Sequence, residues 1–142
     1  MKIKHIFLIF LANFVLASSL YAQTLAGTWT SIDDKTGQKR AVVNLHVANG
    51  KLTGTIKKIY PQPGDTGICS KCPGAFKDKP IVGLQFVWGL KDEGQGVWSG
   101  GHILDPKTGI IYRAKMTLRG NKLDVRGYIG FSLLGRTQVW ER

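Results

Sequence analysis

The chain after residue 22 alternates between apolar and polar positions in short segments. The clearest case is "GIIYRAKMTLRG", residues 109–120, in which every second residue from Ile110 to Leu118 is apolar. Because successive side chains of a β-strand point to opposite faces, this period of two predicts a half-buried strand. No helical period is found after residue 22. The pattern predicts eight strands, near residues 25–32, 39–48, 51–60, 82–91, 95–104, 110–119, 122–130 and 133–141.

Short turns separate most of these strands. Asn49-Gly50 and Gly120-Asn121 are typical of tight hairpins, since these residues accept positive φ angles. Short links join successive strands as antiparallel neighbours. A meander of eight strands leaves two open edges unless its first and last strands pair. The predicted fold is therefore all-β, an antiparallel up-and-down barrel that forms one domain, residues 23–142.

A hydrophobic leader precedes the predicted barrel. Lys2 and Lys4 come before an apolar run at residues 6–16, and small and polar residues follow as far as Ala22. This order is typical of a secretory signal peptide. The apolar run is shorter than the roughly 20 residues of a membrane span. We therefore expect residues 1–22 to be removed and the protein to be exported, to the periplasm or out of the cell.

The chain is basic, with 20 Lys and Arg against 9 Asp and Glu and a net charge of +11. A basic protein can attract anionic lipid, polysaccharide or nucleic acid. Its basic residues are scattered singly, without the clusters interleaved with aromatic residues that favour nucleic acid. We expect no nucleic-acid partner.

The sequence contains few residues suited to catalysis. After the leader the histidines are His46, predicted on the solvent face, and His102, which shares a predicted face with Trp98 and Leu104. A lone inward histidine is more often a hydrogen-bonded core residue than a catalyst. Asp105 is predicted to accept a backbone N–H within its turn. Because no catalytic or metal motif is present, we expect no enzyme activity, metal or cofactor.

One long segment, residues 61–80, lies between the third and fourth predicted strands and holds the cysteines Cys69 and Cys72 in "GICSKCPG". A structural zinc site would need two further ligands, and no histidine is near. A thioredoxin-like centre normally lies at the start of a helix. In an oxidising compartment so close a pair usually joins. A disulfide that shapes a surface loop is favoured, and redox and metal roles stay open as alternatives.

Two positions resemble the lipocalin and calycin barrels. Gly27-Thr28-Trp29 opens the first predicted strand, and Arg136 lies on the last. In the barrels that this pattern resembles, the tryptophan closes one end. The resemblance implies that Arg136 packs across Trp29, in a cation–π contact of about 1 kcal/mol.

A more specific resemblance covers nearly the whole chain after the leader. Its most distinctive segments are "GGHILDPKTG" and "RGYIGFSLLGRTQVW". The chain is similar to a bacterial exported family, domain of unknown function 2147. The resemblance implies a small exported protein with a lipocalin-like barrel and no established activity.

Two functions follow from these patterns. In the first, the barrel binds a small apolar or amphipathic ligand, since small barrels hold one modest ligand. The alternative is that side chains simply fill the barrel. The residues predicted to face inward and line the ligand site are Trp29, Phe86, Trp88, Trp98, His102, Tyr112 and Met116.

In the second, the protein is an interaction module of the cell envelope. Phe131, Leu133 and Leu134 are apolar where the last two strands should turn, and exposed apolar loops often mark contact surfaces. We expect this tip either to dock on envelope lipid or a partner protein, or to fold back onto the core. A basic face would contact anionic lipid or glycan, through Lys57, Lys58, Arg113, Lys115 and Arg119.

Overall fold

The computed structural model describes residues 24–131 and 135–142. Within these residues eight strands alternate with turns, together with a single 3₁₀ turn at Gly74–Phe76. In the same ranges no helix has the length and apolar character that a membrane span requires. The strands are β1 (Gly27–Ile32), β2 (Lys39–Ala48), β3 (Lys51–Ile59), β4 (Gln85–Gly94), β5 (Val97–Leu104), β6 (Ile111–Arg119), β7 (Lys122–Tyr128) and β8 (Arg136–Glu141).

Each strand pairs antiparallel with the next, and β1 pairs with β8 to close the barrel. The predicted up-and-down barrel is confirmed. The seam between β1 and β8 is short, with Thr30 opposite Glu141 and Ser31 opposite Trp140. Side chains strengthen it, because Arg142 just after β8 donates to the carbonyl oxygen of Thr24 at 3.1 Å.

The two ends of the barrel differ because every second connection lies at the same end. The tight turns β2–β3, β4–β5 and β6–β7 lie at one end together with the last residues of the chain. This end is named the closed end. The other, named the mouth, carries the longer connections, which are residues 33–38, 60–84, 105–110 and, between β7 and β8, the described residues 129–131 and 135.

Trp29 fills the closed end. Its side chain is fully buried, and its indole nitrogen donates to the carbonyl oxygen of Leu25 at 2.8 Å. The cation on its ring is Arg142, whose guanidinium carbon is 4.2 Å from the ring centroid. The prediction that Arg136 packs on Trp29 is wrong. Because β8 runs from the mouth to the closed end, Arg136 begins it at the mouth, where it bonds Asp34.

A β-bulge in β5 reverses the alternation of its side chains. Trp98 lies opposite Met116, but Gly101 lies opposite Ala114, so β5 has one extra residue between these pairs. The bulge places His102 opposite the exposed Arg113, on the outer face. The prediction that His102 points inward is wrong for this reason.

Trp88 also lies on the outer face, contrary to its predicted inward position. It pairs with His102 across β4 and β5, and the two rings stack with centroids 5.6 Å apart. Its other neighbour is Phe76 of the β3–β4 loop, also 5.6 Å away. The cause is a register shift on each side of Val87, because Thr55 pairs with Gln85, Gly54 with Val87 and Leu52 with Leu90. β4 therefore has one extra residue on each side of Val87, and Phe86 and Trp88 lie on different faces.

Gly101 permits the close approach of β4 and β5 at these bulges. An added Cβ would overlap the carbonyl oxygen of Trp88 and lie 2.5 Å from the amide nitrogen of Leu90. Because backbone would have to move, we expect Gly101→Ala to lower the free energy of unfolding by about 2–4 kcal/mol. Urea unfolding followed by tryptophan fluorescence measures this loss.

Gly64→Ala is the matched control for this substitution. Gly64 is a loop glycine with φ of +87°, and an added Cβ meets nothing within 4 Å. Its substitution should cost about 1–2 kcal/mol, from the positive φ alone. If both variants lost the same free energy of unfolding, the steric argument at Gly101 would be contradicted.

Candidate functional site

The mouth opens into a cavity of about 930 Å³ inside the barrel. Small-molecule sites usually have volumes of about 300–1,000 Å³. Its lining comes from the four mouth loops, from the strand residues next to them and from Trp140, which lies towards the closed end of β8, and it exposes somewhat more apolar than polar surface. The apolar lining residues within the barrel are Ala41, Ile56, Ile59, Phe86, Ile103, Leu104, Tyr112, Val125 and Trp140.

Aromatic rings form one wall of the cavity. Phe86 and Trp140 stack with centroids 6.1 Å apart and ring planes 24° from parallel. The indole nitrogen of Trp140 is 3.4 Å from the amide oxygen of Gln138. Ser31, a buried polar residue of the lining, donates its hydroxyl to the carbonyl oxygen of Ala41 at 3.4 Å. These two polar groups of the lining therefore have partners within the protein.

Two of the seven predicted ligand-binding residues, Phe86 and Tyr112, line this cavity. Trp29 and Met116 are fully buried nearer the closed end, and the partly exposed Trp98 lies opposite Met116. The closed half of the barrel is therefore filled by side chains, and the mouth half is open. Trp88 and His102 lie on the outer face.

Several lining residues were not predicted, although the alternation contained a signal for them. Ala41 lies on the inward face of β2 with Val43 and Leu45, opposite the exposed His46. Small and branched residues such as Ala41, Ile56 and Ile103 line the cavity beside the aromatic wall, whereas Trp29, Trp88 and Trp98 do not line it. Aromatic character alone was a poor guide to the lining.

Cys69 and Cys72 form a disulfide in the β3–β4 loop at the mouth. Both side chains are buried, and the residues between them, Ser70 and Lys71, line the cavity. Backbone hydrogen bonds hold Cys69 from both sides, because its N–H donates to Lys79 and its carbonyl accepts from Asp78. The disulfide favoured by the sequence is thus part of the cavity rim.

The disulfide loop packs directly on the β5–β6 turn. Gly109 has φ of +76°, and a Cβ at this position would overlap the carbonyl oxygen of Lys71. The sulfur of Cys72 is 3.9 Å from the carbonyl oxygen of Pro106. Asp105 accepts from the backbone N–H of Lys107 at 2.9 Å, the turn role that the sequence predicted. The loop and the turn therefore form one continuous side of the mouth.

Charged residues surround the opening, and basic ones are in excess. Arg136 bonds Asp34 through both carboxylate oxygens. These hydrogen bonds with Arg136 hold the pKa of Asp34 below its usual value, so the pair is ionised at neutral pH. Arg40 lies 3.6 Å from Asp65. The charged lining residues are Lys35, Arg40, Lys71, Lys107 and Arg136, with the acids Asp65 and Asp105.

The predicted basic face is not one face of the barrel. Lys57 and Lys58 lie on β3, whereas Arg113 and Lys115 lie on β6, and β4 and β5 separate these strands. Arg119 lies at the closed end, where it bonds Asp124 at 2.6 Å. Because consecutive strands take consecutive places around a barrel, these residues are spread over its surface, and the prediction of a single face is wrong.

Phe131, the residue of the predicted apolar tip that the structure describes, lies in the β7–β8 loop beside the mouth. Phe131 is 78% exposed and Ile129 is 62% exposed, and Ile129 also lines the cavity. Leu133 and Leu134 lie outside the described residues. The β7–β8 loop therefore presents apolar side chains to solvent at the rim of the mouth.

Comparisons with known proteins agree with this barrel. A solved structure of HP1028 from the human pathogen Helicobacter pylori, described as belonging to the lipocalin family, matches with a TM-score of 0.72. The two sequences are 18% identical, and the match covers 84% of this chain and 82% of that one. At this identity the similarity shows the fold. No curated protein gave a significant match.

A family model matches residues 27–142, from the first strand to the last residue. The match includes the disulfide loop, all strands of the barrel and the residues around the mouth. Because it covers most of the chain, this protein belongs to the family described as uncharacterized proteins conserved in bacteria, DUF2147.

Proposed function

We propose that this protein is an exported binding protein that takes one small ligand with a large apolar part into the mouth half of its barrel. The observation that carries the proposal is the cavity of about 930 Å³, open at the mouth and closed below by packed side chains. The lipocalin-like fold and the family of unknown function point to binding rather than catalysis.

The chemistry of the lining favours an apolar ligand body. Apolar surface that leaves water for an apolar site gains about 25 cal/mol per Å². Phe86, Trp140 and the isoleucines of the wall supply such a site. Against this apolar wall a uniformly polar ligand would instead lose its hydrogen bonds to water without replacing them, which is costly for every group left unpaired.

A cavity-filling substitution tests this function with the neutral fluorescent probe N-phenyl-1-naphthylamine. Ala41 lines the cavity and is only half-buried, so Ala41→Phe places a ring in open space rather than in the packed core. We expect the natural chain to bind the probe and the variant to bind at least about tenfold more weakly, because the ring takes up ligand volume. Fluorescence titration measures both affinities.

Ala48→Phe provides the control, since Ala48 is exposed near the closed end of β2. This variant should bind the probe like the natural chain. Equal affinity in all three proteins, or no binding by the natural chain, would contradict a ligand site in the cavity.

The export part of the proposal rests on the leader at residues 1–22 and on the disulfide, which suits an oxidising compartment. We expect the protein isolated from its native cells to be found outside the cytoplasm, to begin at Gln23, and to react with thiol reagents only after reduction. Intact-mass spectrometry with and without alkylation measures both features. A chain that begins at Met1 with free thiols, in the cytoplasmic fraction, would contradict export.

The exposed side chains of Ile129 and Phe131 favour a second candidate function, contact with the envelope through the mouth loops. Vesicles with and without phosphatidylglycerol provide a co-sedimentation test. We expect binding to the anionic vesicles, reduced several-fold by Phe131→Ser because an apolar anchor is lost. Val139→Ser removes an exposed apolar side chain of β8 and is the control. Equal sedimentation of both variants would argue against this contact.

A further inference from the structure

We infer that the ligand is an amphipath with an anionic head group, a carboxylate, sulfate or phosphate ester, which Lys35, Lys71 and Lys107 hold at the mouth. This inference rests on the proposed function, because it names the class of ligand for the same cavity. The apolar body of the ligand lies against the barrel wall, and the head group stays at the rim.

Three lysines reach the cavity from three different mouth loops. Lys35 belongs to the β1–β2 turn, Lys71 lies between the two cysteines, and Lys107 belongs to the β5–β6 turn, and all three line the cavity. In the part of the chain that the structure describes, none of them has a carboxylate within 4.0 Å. Their ammonium groups are therefore available to a ligand.

The acidic groups near the mouth are already engaged. Asp34 bonds Arg136, and Asp105 accepts from the N–H of Lys107. Asp65 accepts from the N–H of Gln62 at 2.8 Å and lies near Arg40. Asp33 accepts from the N–H groups of Lys35 and Thr36, and these hydrogen bonds lower its pKa. The oxygens of these acids are therefore occupied by hydrogen bonds within the mouth loops or by an arginine, and none of the acids pairs with the three lysines in the described part of the chain.

The hydrogen-bonding capacity of lysine selects among head groups. An ammonium group has three donors and no acceptor, so it bonds acceptor oxygens and repels a cationic head. A charged oxygen gives a stronger bond than a neutral hydroxyl. The disulfide and the contact with Gly109 fix the backbone at Lys71 before binding, which reduces the loss of chain entropy on binding.

Three ten-carbon amphipaths that differ only in the head group provide the test. Decyl sulfate, decanol and decyltrimethylammonium are each titrated, below their micelle concentrations, against protein loaded with N-phenyl-1-naphthylamine. We expect decyl sulfate to displace the probe at a concentration about tenfold below that of decanol, and the cation to be the weakest. Because the lysines are exposed, the preference should shrink with added salt.

Charge variants test whether the lysines at the mouth cause the preference for decyl sulfate over decanol. The triple variant Lys35→Gln, Lys71→Gln, Lys107→Gln should lose the preference and bind decyl sulfate and decanol about equally. The control triple variant Lys57→Gln, Lys91→Gln, Lys115→Gln removes the same charge from exposed positions away from the cavity. It should keep the preference of the natural chain.

The outcomes separate this inference from the proposed function. If all three amphipaths displace the probe equally, or the cation displaces it best, the cavity binds ligands but the anionic head group is wrong. If the control triple loses the preference as the mouth triple does, net charge rather than the mouth is responsible, and the inference fails. If neither the probe nor any amphipath binds the natural chain, the proposed function fails with it.

Discussion

The seam between β1 and β8 is the interaction on which the rest of the barrel depends. It has two directly opposed residue pairs, and an open seam would expose two strand edges with unpaired N–H and C=O groups. Two arginines flank it, with Arg136 bonded to Asp34 at the mouth and Arg142 bonded to Thr24 at the closed end. Trp29 of β1 and Trp140 of β8 belong to the seam strands, so the closure of one end and a wall of the cavity both require it.

The packed core and the open cavity lie in different halves of the barrel. The closed half contains many of the fully buried side chains, among them Trp29, Leu52, Leu90, Met116 and Leu123. Burial of apolar side chains is the main favourable contribution to folding. Because this half is densely packed, the mouth half can keep an open volume without loss of the fold. The disulfide loop adds local rigidity where the strands themselves no longer meet.

Much of the fold was predictable from the sequence, since a strand with one buried face shows its period directly. The segment around Met116 and the turn at Asn49-Gly50 illustrate this, and both appear as expected. The bulges were not predicted, and so His102 and Trp88 were assigned to the wrong face. The sequence signal for the bulge in β5 was the pair of glycines, Gly100 and Gly101, directly before His102. The partner of Arg136 is about a hundred residues away in the chain, and the period of a strand carries no such information.

The site was less predictable than the fold, because a cavity depends on volume that side chains leave empty. Aromatic residues were chosen as its lining, and most of them are packed or outside. The lysines of the mouth are separated by more than thirty residues from one another in the chain. Their placement at the same end of the barrel nevertheless follows from topology, since alternate connections of an up-and-down barrel share an end. The strand order must be known before the lysines of different loops can be assigned to the same end of the barrel.

The bond between Thr24 and Arg142 brings the first and last described residues together at the closed end. Any segment attached before Thr24 or after Arg142 therefore begins on the side of the molecule opposite the mouth. A tether at either terminus, whether a purification tag, a surface linker or a fused domain, would leave the opening unobstructed. The protein can therefore be immobilised through either terminus while its cavity stays accessible from the mouth.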